Sequence, residues 1–198
     1  MNKKKFNILN AEPYNFSKEA NEKLVSIGNV LNKECNRNEL IKNIKGKDIL
    51  IVRLRNNIDL EILDKADRLK YIISATTGLN HISLEECEKR HIKVISLLGE
   101  TAFLSEITST AELAWSLIMS LSRRIDLYRN QVKNNIWDRD SFQTFSLSFF
   151  KLGIIGFGRL GSIVAKYGNF FGMRVLTYDP FVKKFPDYVD NVDLNNLL

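Results

Sequence analysis

A glycine-rich turn between two apolar stretches restricts the fold of this 198-residue chain more than any other feature. The segment Leu152–Pro180 has the sequence LGIIGFGRLGSIVAKYGNFFGMRVLTYDP, in which three glycines follow an apolar strand with the spacing GxGxxG: Gly156, Gly158 and Gly161. In such a turn the first glycine permits a tight bend, the second lets the backbone approach a pyrophosphate, and the third lets a helix pack closely on the strand. The helix that follows points its N-terminal amide groups at the phosphates.

An acidic residue ends the next predicted strand, Val175–Tyr178. This residue, Asp179, lies eighteen positions after Gly161. A carboxylate there can accept two hydrogen bonds from an adenosine ribose and repels a 2′-phosphate, which favours NAD over NADP. The strand, turn, helix, second strand and acid together predict the adenosine-binding half of a Rossmann NAD site. The alternative is a glycine-rich turn that binds no ligand.

Composition excludes several other classes of protein. The net charge is +6, but the basic residues are interleaved with acidic ones and the only basic run is Lys3–Lys5, so we expect no nucleic-acid partner. No apolar run approaches the roughly 18–20 residues of a membrane span, and we expect no membrane partner and a cytoplasmic location. Cys35 and Cys87 are far apart and are expected to be packed, reduced thiols; with two histidines the chain offers no zinc ligand set.

Short apolar stretches alternate with charged helical patterns through the first hundred residues. The predicted strands are Phe6–Leu9, Asn29–Leu31, Ile49–Val52, Tyr71–Ser74 and Val94–Ser96, and the predicted helices are Lys18–Ser26, Arg37–Asn43, Leu60–Ala66 and Ser83–Arg90. Strand–helix alternation with nearly continuous apolar strands is typical of a parallel sheet covered on both faces. We therefore predict a first α/β domain over residues 1–100 and a second domain over residues 101–198.

A long helix is predicted between two loops, Leu97–Ile107 and Asn130–Leu147. Its predicted start is a capping box formed by Ser109 and Glu112. Its apolar stripe, expected to lie in the core or in a subunit interface, consists of Leu113, Leu117, Leu121 and Ile125.

Several segments, taken in order, resemble the D-isomer-specific 2-hydroxyacid dehydrogenases, particularly the phosphoglycerate dehydrogenase-like members. These segments are LKYIISATTGLNHISLEECEKRHIKVIS (Leu69–Ser96), STAELAWSLIMSLSRRI (Ser109–Ile125), NNIWDRDSF (Asn134–Phe142) and FGMRVLTYDP (Phe171–Pro180). The resemblance implies an α/β fold in which a flavodoxin-like substrate domain precedes the first part of a Rossmann NAD-binding domain. It also implies a homodimer, built largely through the cofactor domains, that acts on a small 2-hydroxy or 2-keto acid.

The resemblance also implies roles for individual residues. Thr77 falls where the family contacts the cofactor, and the amides around Thr77 and Gly78 fall where it holds a substrate carboxylate. Arg159 and Leu160 fall at the pyrophosphate turn, and Arg53 falls in a loop where some relatives bind substrate. That loop is Arg53-Leu54-Arg55 here, whereas phosphoglycerate-specific members often have Arg-Ser, which weakens phosphoglycerate as the substrate; Asn80 replaces a usual aspartate.

No catalytic residue is assigned. His81 is expected to be structural, because the resemblance places it in the GLNHI turn. The arginine, glutamate and histidine of the family's chemistry would lie in later strands and loops, beyond VDLNNLL, which is expected to fall in the helix after the second Rossmann strand. Without those strands, one edge of Leu152–Ile155 is expected to have no partner. The hypotheses are therefore an N-terminal piece of a dehydrogenase, a non-catalytic NAD-binding or dimerising module, or one half of a split enzyme.

Overall fold

The computed structural model describes residues 5–198, and Lys3 and Lys4 of the basic run lie outside the described residues. The described chain divides into two compact units, one ending at Thr101 and one beginning at Ala102. No helix in residues 5–198 is long and apolar enough to cross a membrane.

The first unit contains a parallel sheet whose strands, within the described residues, have the order β2-β1-β3-β4-β5. The strands are β1 (Phe6–Asn10), β2 (Gly28–Asn32), β3 (Ile49–Val52), β4 (Tyr71–Ser74) and β5 (Lys93–Ser96). This is the flavodoxin-like strand order, and the predicted parallel α/β architecture is confirmed.

Helices connect these strands at the predicted positions. They are α1 (Lys18–Ile27), α2 (Arg37–Asn43), α3 (Leu60–Lys65) and α4 (Leu84–Lys89). Polar caps fix three of the starts, since Ser17, Asn36 and Asp59 each accept a hydrogen bond from an amide of the first turn. Every residue of β3 is buried because apolar clusters cover both faces of the sheet.

The segment before the glycine turn differs from the prediction. The expected loop at Leu97–Ile107 contains a short helix, α5 (Thr101–Ser105). The expected long helix is two helices, α6 (Ser109–Ser122) and α7 (Ile125–Lys133), separated by Arg124 in the left-handed region with φ of 51°. The predicted loop at Asn130–Leu147 therefore starts inside α7, and a 3₁₀ turn covers Leu147–Phe149.

The predicted capping box of α6 is wrong. Thr108, not Ser109, is the N-cap residue, and its hydroxyl donates to a Glu112 carboxylate oxygen instead of accepting from a backbone amide. The apolar stripe is not core either, because α6 packs on α8 (Arg159–Phe170) through its opposite side, where Ala111 and Trp115 are buried. The stripe residues Leu113, Leu117, Leu121 and Ile125 are between 51% and 71% exposed.

The second unit also contains a parallel sheet, with the order β6-β7-β8 in the described chain. Its strands are β6 (Lys151–Ile155), β7 (Arg174–Tyr178) and β8 (Val189–Asn191), and a short helix α9 (Leu194–Leu197) follows. The chain was expected to pass from β7 into a helix, but a third strand, β8, comes between β7 and α9. β8 was not predicted because it has only three residues, of which one is buried, and so forms no recognisable apolar run. Within residues 5–198, β6 pairs only with β7.

Candidate functional site

The three glycines of the turn between β6 and α8 are glycines for different physical reasons. Gly156 has φ of +91°, a conformation that side chains disfavour. A Cβ on Gly161 would lie 2.1 Å from the carbonyl oxygen of Gly156, so close packing requires glycine there. Gly158 has an ordinary φ of −75°, and a Cβ on it would meet nothing within 4 Å. The described chain therefore leaves the space in front of Gly158 open.

The N-terminus of α8 lies at this open space. Gly158 is the N-cap residue and cannot cap with a side chain, and the first intrahelical bond runs from Ser162 N to Gly158 O at 2.9 Å. The amides of Arg159, Leu160 and Gly161 precede that bond, so they are the unsatisfied donors of the helix start. These donors and the helix dipole favour an anion at this position. Because Gly158 has no side chain, the anion can approach the backbone.

Asp179, directly after β7, contacts the same turn. One carboxylate oxygen accepts from Phe157 N at 2.7 Å, and the other accepts from Phe181 N at 2.8 Å and Val182 N at 3.2 Å. The hydrogen bonds from Phe181 and Phe157 hold the pKa of this carboxyl below its usual range. A carboxylate has about four acceptor sites, so about one remains for a ribose hydroxyl, fewer than the two hydrogen bonds anticipated from the sequence.

The guanidinium of Arg159 is hydrogen-bonded to another segment of the second unit. It donates to the carbonyl oxygens of Leu104 at 3.0 Å and Ile107 at 2.8 Å, which lie at and just beyond the end of α5. A cation at a helix C-terminus satisfies carbonyls that have no intrahelical partner. Both hydrogen bonds are donated by Nη1, so this side-chain nitrogen is engaged within the chain, whereas the backbone amide of Arg159 is available to a ligand at the turn.

A second set of predicted site residues follows β4 in the first unit. Thr77 and Gly78 are exposed on a groove of about 640 Å³, and in the described structure neither amide donates to an acceptor of the chain. Gly78, like Gly158, has no positive φ, and a Cβ on it would meet nothing within 4 Å. Asn80 lines the same groove and is exposed.

A partly buried network of polar side chains supports this loop. The hydroxyls of Ser74 and Thr76 are 2.8 Å apart, Thr76 donates to Gly78 O at 2.8 Å, and Ser74 lies 3.3 Å from Nε2 of His81. His81 is only 8% exposed and belongs to this network, and a structural role for it stays a prediction. Ser74 and Thr76 were not predicted as site residues, although two hydroxyl residues at the end of an apolar strand are a usable signal.

The loop after β3 carries two arginines with different surroundings. Arg55 forms an ion pair with Glu34. Arg53 is exposed and makes no ion pair or side-chain hydrogen bond in the part of the chain that the structure describes. Because β3 and β4 are parallel neighbours, Arg53 and the Thr77 loop lie at the same edge of the sheet.

Cys35 and Cys87 are buried and unpaired, as predicted, and burial raises the pKa of both thiols. No group of three potential metal-ligating residues occurs among residues 5–198.

Two family models match overlapping stretches of the chain. The family model described as "D-isomer specific 2-hydroxyacid dehydrogenase, catalytic domain" matches residues 9–149. The model described as "D-isomer specific 2-hydroxyacid dehydrogenase, NAD binding domain" matches residues 115–198. The chain belongs to the D-isomer-specific 2-hydroxyacid dehydrogenase family. The predicted resemblance to this family is thereby confirmed. NAD is confirmed as the family's cofactor, and the glycine turn lies within the residues that the NAD-binding model matches.

Individual 2-hydroxyacid dehydrogenases and their structures give the same result. The chain is 32% identical over 168 residues to a hydroxypyruvate reductase of Thermotoga maritima, covering 85% of this chain and 53% of that protein. It is 32% identical over 148 residues to a D-3-phosphoglycerate dehydrogenase of Methanocaldococcus jannaschii, covering 75% of this chain and 27% of that protein. A D-lactate dehydrogenase of Aquifex aeolicus, solved with NAD and lactic acid, superposes with a TM-score of 0.79 at 29% identity over 97% of this chain and 57% of that chain. The chain thus spans between about a quarter and three fifths of these relatives.

Proposed function

We propose that the chain contributes a substrate domain and the adenosine half of an NAD site to an NAD-dependent dehydrogenase that transfers a hydride between NAD and a small 2-hydroxy or 2-keto acid. The observation that carries the proposal is Gly158. Neither its backbone conformation nor a neighbouring atom requires glycine there, yet it stands at the N-terminus of α8 beside Asp179. Space for a pyrophosphate explains this glycine, and the family match supports the same explanation.

The residues of the turn have distinct proposed roles toward the cofactor. The backbone at Gly158 admits the pyrophosphate, and the amides of Arg159 and Leu160 donate to its oxygens. Asp179 accepts from an adenosine ribose hydroxyl through its remaining acceptor site and repels a 2′-phosphate, which favours NAD over NADP. NAD, when bound, supplies the hydride acceptor or donor.

The substrate residues lie on the first unit. The open amides at Thr77 and Gly78 suit a carboxylate, since both donors are exposed and no side chain blocks Gly78. Arg53 supplies a cation on the neighbouring loop, whereas Arg55 is engaged by Glu34. The named relatives reduce or oxidise small acids, which supports a small 2-hydroxy or 2-keto acid here. Thr77 falls at the position where members of the family contact the cofactor, and the same role is proposed for it here.

Calorimetry with NAD tests the proposal. The 198-residue chain should bind NAD, and Gly158→Ala should weaken binding by about tenfold or more because a methyl group occupies the space of the pyrophosphate. The thermal unfolding midpoint of Gly158→Ala should match the wild type, since the added Cβ touches no chain atom. A folded wild-type chain that gives no heat with NAD would contradict the proposal.

A non-catalytic NAD-binding or dimerising module is the competing function. Turnover separates the two, because the module binds NAD but never produces an NADH-linked absorbance change. The assay uses the longest protein encoded at the locus, or the chain co-expressed with a candidate second half. Turnover in either sample supports the dehydrogenase.

We further propose a homodimer formed through the second unit and a cytoplasmic location. The exposed leucines on α6 support the dimer, because apolar side chains at one-turn spacing are a common interface pattern. The two unpaired, buried thiols support a reducing compartment.

A further inference from the structure

A buried carboxylate without a full set of hydrogen-bond partners lies at the carboxyl end of β1. Glu12 is 8% exposed, and its Oε1 is one of two buried side-chain oxygens with no hydrogen-bond partner among the described residues; the other is Oδ1 of Asn10. Its Oε2 accepts from the backbone amide of Arg55 at 3.4 Å. A buried acceptor normally has a donor, and one that lacks a donor calls for an explanation.

Glu12 lines a pocket of about 200 Å³ between α1 and the sheet. The walls are mostly apolar and include Phe16, Leu24 and Ile73, and Arg53 and Ala75 lie at its border with the loops after β3 and β4. One water molecule occupies about 30 Å³, so the pocket has room for several heavy atoms of a ligand. Ala75 is two residues from Thr77, so the pocket adjoins the loops proposed to bind substrate.

The pocket also lies where ligands bind in this topology. In the order β2-β1-β3-β4-β5, the chain direction across the sheet reverses between β1 and β3, and ligands of open parallel sheets bind beyond the carboxyl ends of strands at such a point. Glu12 follows β1 and Arg53 follows β3.

The nearby cations do not neutralise Glu12. The ammonium of Lys23, whose side chain also lines the pocket, pairs with Glu19 at 2.8 Å. The guanidinium of Arg55 pairs with Glu34, and within residues 5–198 Arg53 forms no ion pair. The carboxylate of Glu12 therefore faces a mostly apolar pocket with an acceptor available.

We propose that Glu12 is a specificity residue that selects a 2-hydroxy acid whose C2 substituent carries a hydrogen-bond donor, an ammonium group above all. In this arrangement the substrate carboxylate binds at the Thr77–Gly78 amides or Arg53, and the C2 substituent enters the pocket and donates to Oε1 of Glu12. An ammonium gains most because a charge-assisted hydrogen bond in an apolar pocket is stronger than a neutral one. The inference rests on the proposed substrate site and extends it.

Three D-acids with one scaffold test this selection: lactate, glycerate and 3-amino-2-hydroxypropanoate, whose C2 substituents are a methyl, a hydroxymethyl and an ammoniomethyl group. Dissociation constants are measured for the 198-residue chain by two-dimensional NMR, in parallel with NAD calorimetry. We expect the ammonium acid to bind about ten- to a hundredfold more tightly than lactate, with glycerate between them. Equal affinities, or no binding of any acid to a chain that binds NAD, would overturn the inference and leave the cofactor proposal standing. The predicted ranking in a chain that does not bind NAD would support the inference and contradict the cofactor proposal.

Glu12→Gln distinguishes a direct contact from a general electrostatic effect. The variant should lose the preference for the ammonium acid and keep the wild-type affinity for lactate. The matched control is Glu22→Gln, which removes an exposed carboxylate from α1 and should leave the ranking unchanged. A ranking that persists in Glu12→Gln assigns the selection to other residues and overturns the role of Glu12. Because the ranking is first measured in the wild type, the test does not depend on the folding of the variant.

Discussion

Each of the two parallel sheets contains a strand rich in isoleucine and leucine, but the two strands are buried to different degrees. In the first sheet β3 (ILIV) has a neighbour on each side and every residue is buried. In the second sheet β6 (KLGII) lies at the edge in the described chain, and only Ile154 is buried while Ile155 is 64% exposed. The fully buried strand is the one that has a strand on each edge and an apolar cluster on each face.

The two groups of site residues also differ in how the structure holds them in place. The loops after β3 and β4 extend from a sheet with buried clusters on both faces, and a partly buried network of Ser74, Thr76 and His81 supports the second loop. The glycine turn extends from an edge strand and is fixed by hydrogen bonds instead, from Gly156 N to Tyr178 O and from Phe157 N to Asp179. Substitutions should therefore have different consequences in the two units.

The largest difference is expected between two isoleucine-to-alanine substitutions. Ile72→Ala in β4 should lower the free energy of unfolding by about 2–5 kcal/mol, because a fully enclosed site cannot collapse around the cavity. Ile154→Ala in β6 should cost less than half of that, because an edge strand can relax. Denaturant unfolding measures both, with far-UV circular dichroism for the whole chain and tryptophan fluorescence for the second unit, where Trp115 and Trp137 lie. Equal costs would show that the free edge of β6 has no energetic consequence.

A buried carboxylate in the first unit should make its stability depend on pH. Asp48 is 2% exposed; burial acts to raise its pKa, but the amide of Asn7 at 2.9 Å and the cations of Arg68 and Lys70 outweigh burial and lower it. The unfolded-state value is about 3.9. The carboxylate thus stabilises the fold above that pH, and the contribution is lost as the pH falls through the lower folded-state pKa.

Asp48→Asn should therefore destabilise the chain by about 1.5–3 kcal/mol at neutral pH and by progressively less in acid. Unfolding curves at a series of pH values measure the effect. Asp190→Asn breaks the exposed ion pair with Arg174 in the second sheet and should cost only about 0–1 kcal/mol. If the destabilisation caused by Asp48→Asn does not change with pH, the charge of the Asp48 carboxylate does not stabilise the fold.

Two glycines of one turn should respond differently to the same added methyl group. Gly161→Ala places a Cβ 2.1 Å from a backbone oxygen and should destabilise the second unit by about 1–3 kcal/mol. Gly158→Ala should leave stability unchanged. Tryptophan fluorescence during unfolding measures both variants. If Gly158→Ala destabilises as much as Gly161→Ala, the space at Gly158 serves packing and not a ligand.

Local patterns predicted much of the fold. The first-unit strands and helices, β6, β7 and the end of α8 near Gly172 lie close to their predicted positions, because apolar runs, caps and glycines act over a few residues. The break at Arg124 was not predicted, since the periodic apolar stripe continues across it and only the left-handed φ reveals it. The exposure of the apolar stripe on α6 was not predicted for a similar reason. Periodicity identifies an apolar face, but it does not identify what covers that face.

The site was predictable to a similar extent. The glycine spacing and Asp179 can be identified in the sequence because their roles depend on backbone geometry at fixed separations. The side chain of Arg159 and the pocket at Glu12 could not be predicted, because each depends on residues from distant segments. Arg159 reaches carbonyls more than fifty positions away, and Glu12 faces residues of β3 and β4.

The smallest effect on stability is expected for a substitution in the exposed stripe of α6. Leu117 is 57% exposed, so Leu117→Glu should change the free energy of unfolding by no more than about 0.5 kcal/mol. If α6 forms the proposed dimer interface, the added charge is buried without a partner on association, and the dimer should dissociate. The matched control is Val25→Glu on α1, which is 52% exposed in the first unit and should leave the dimer intact. Light scattering measures the mass of each variant, and a monomeric wild-type chain or a dimeric Leu117→Glu variant would exclude this face as the interface.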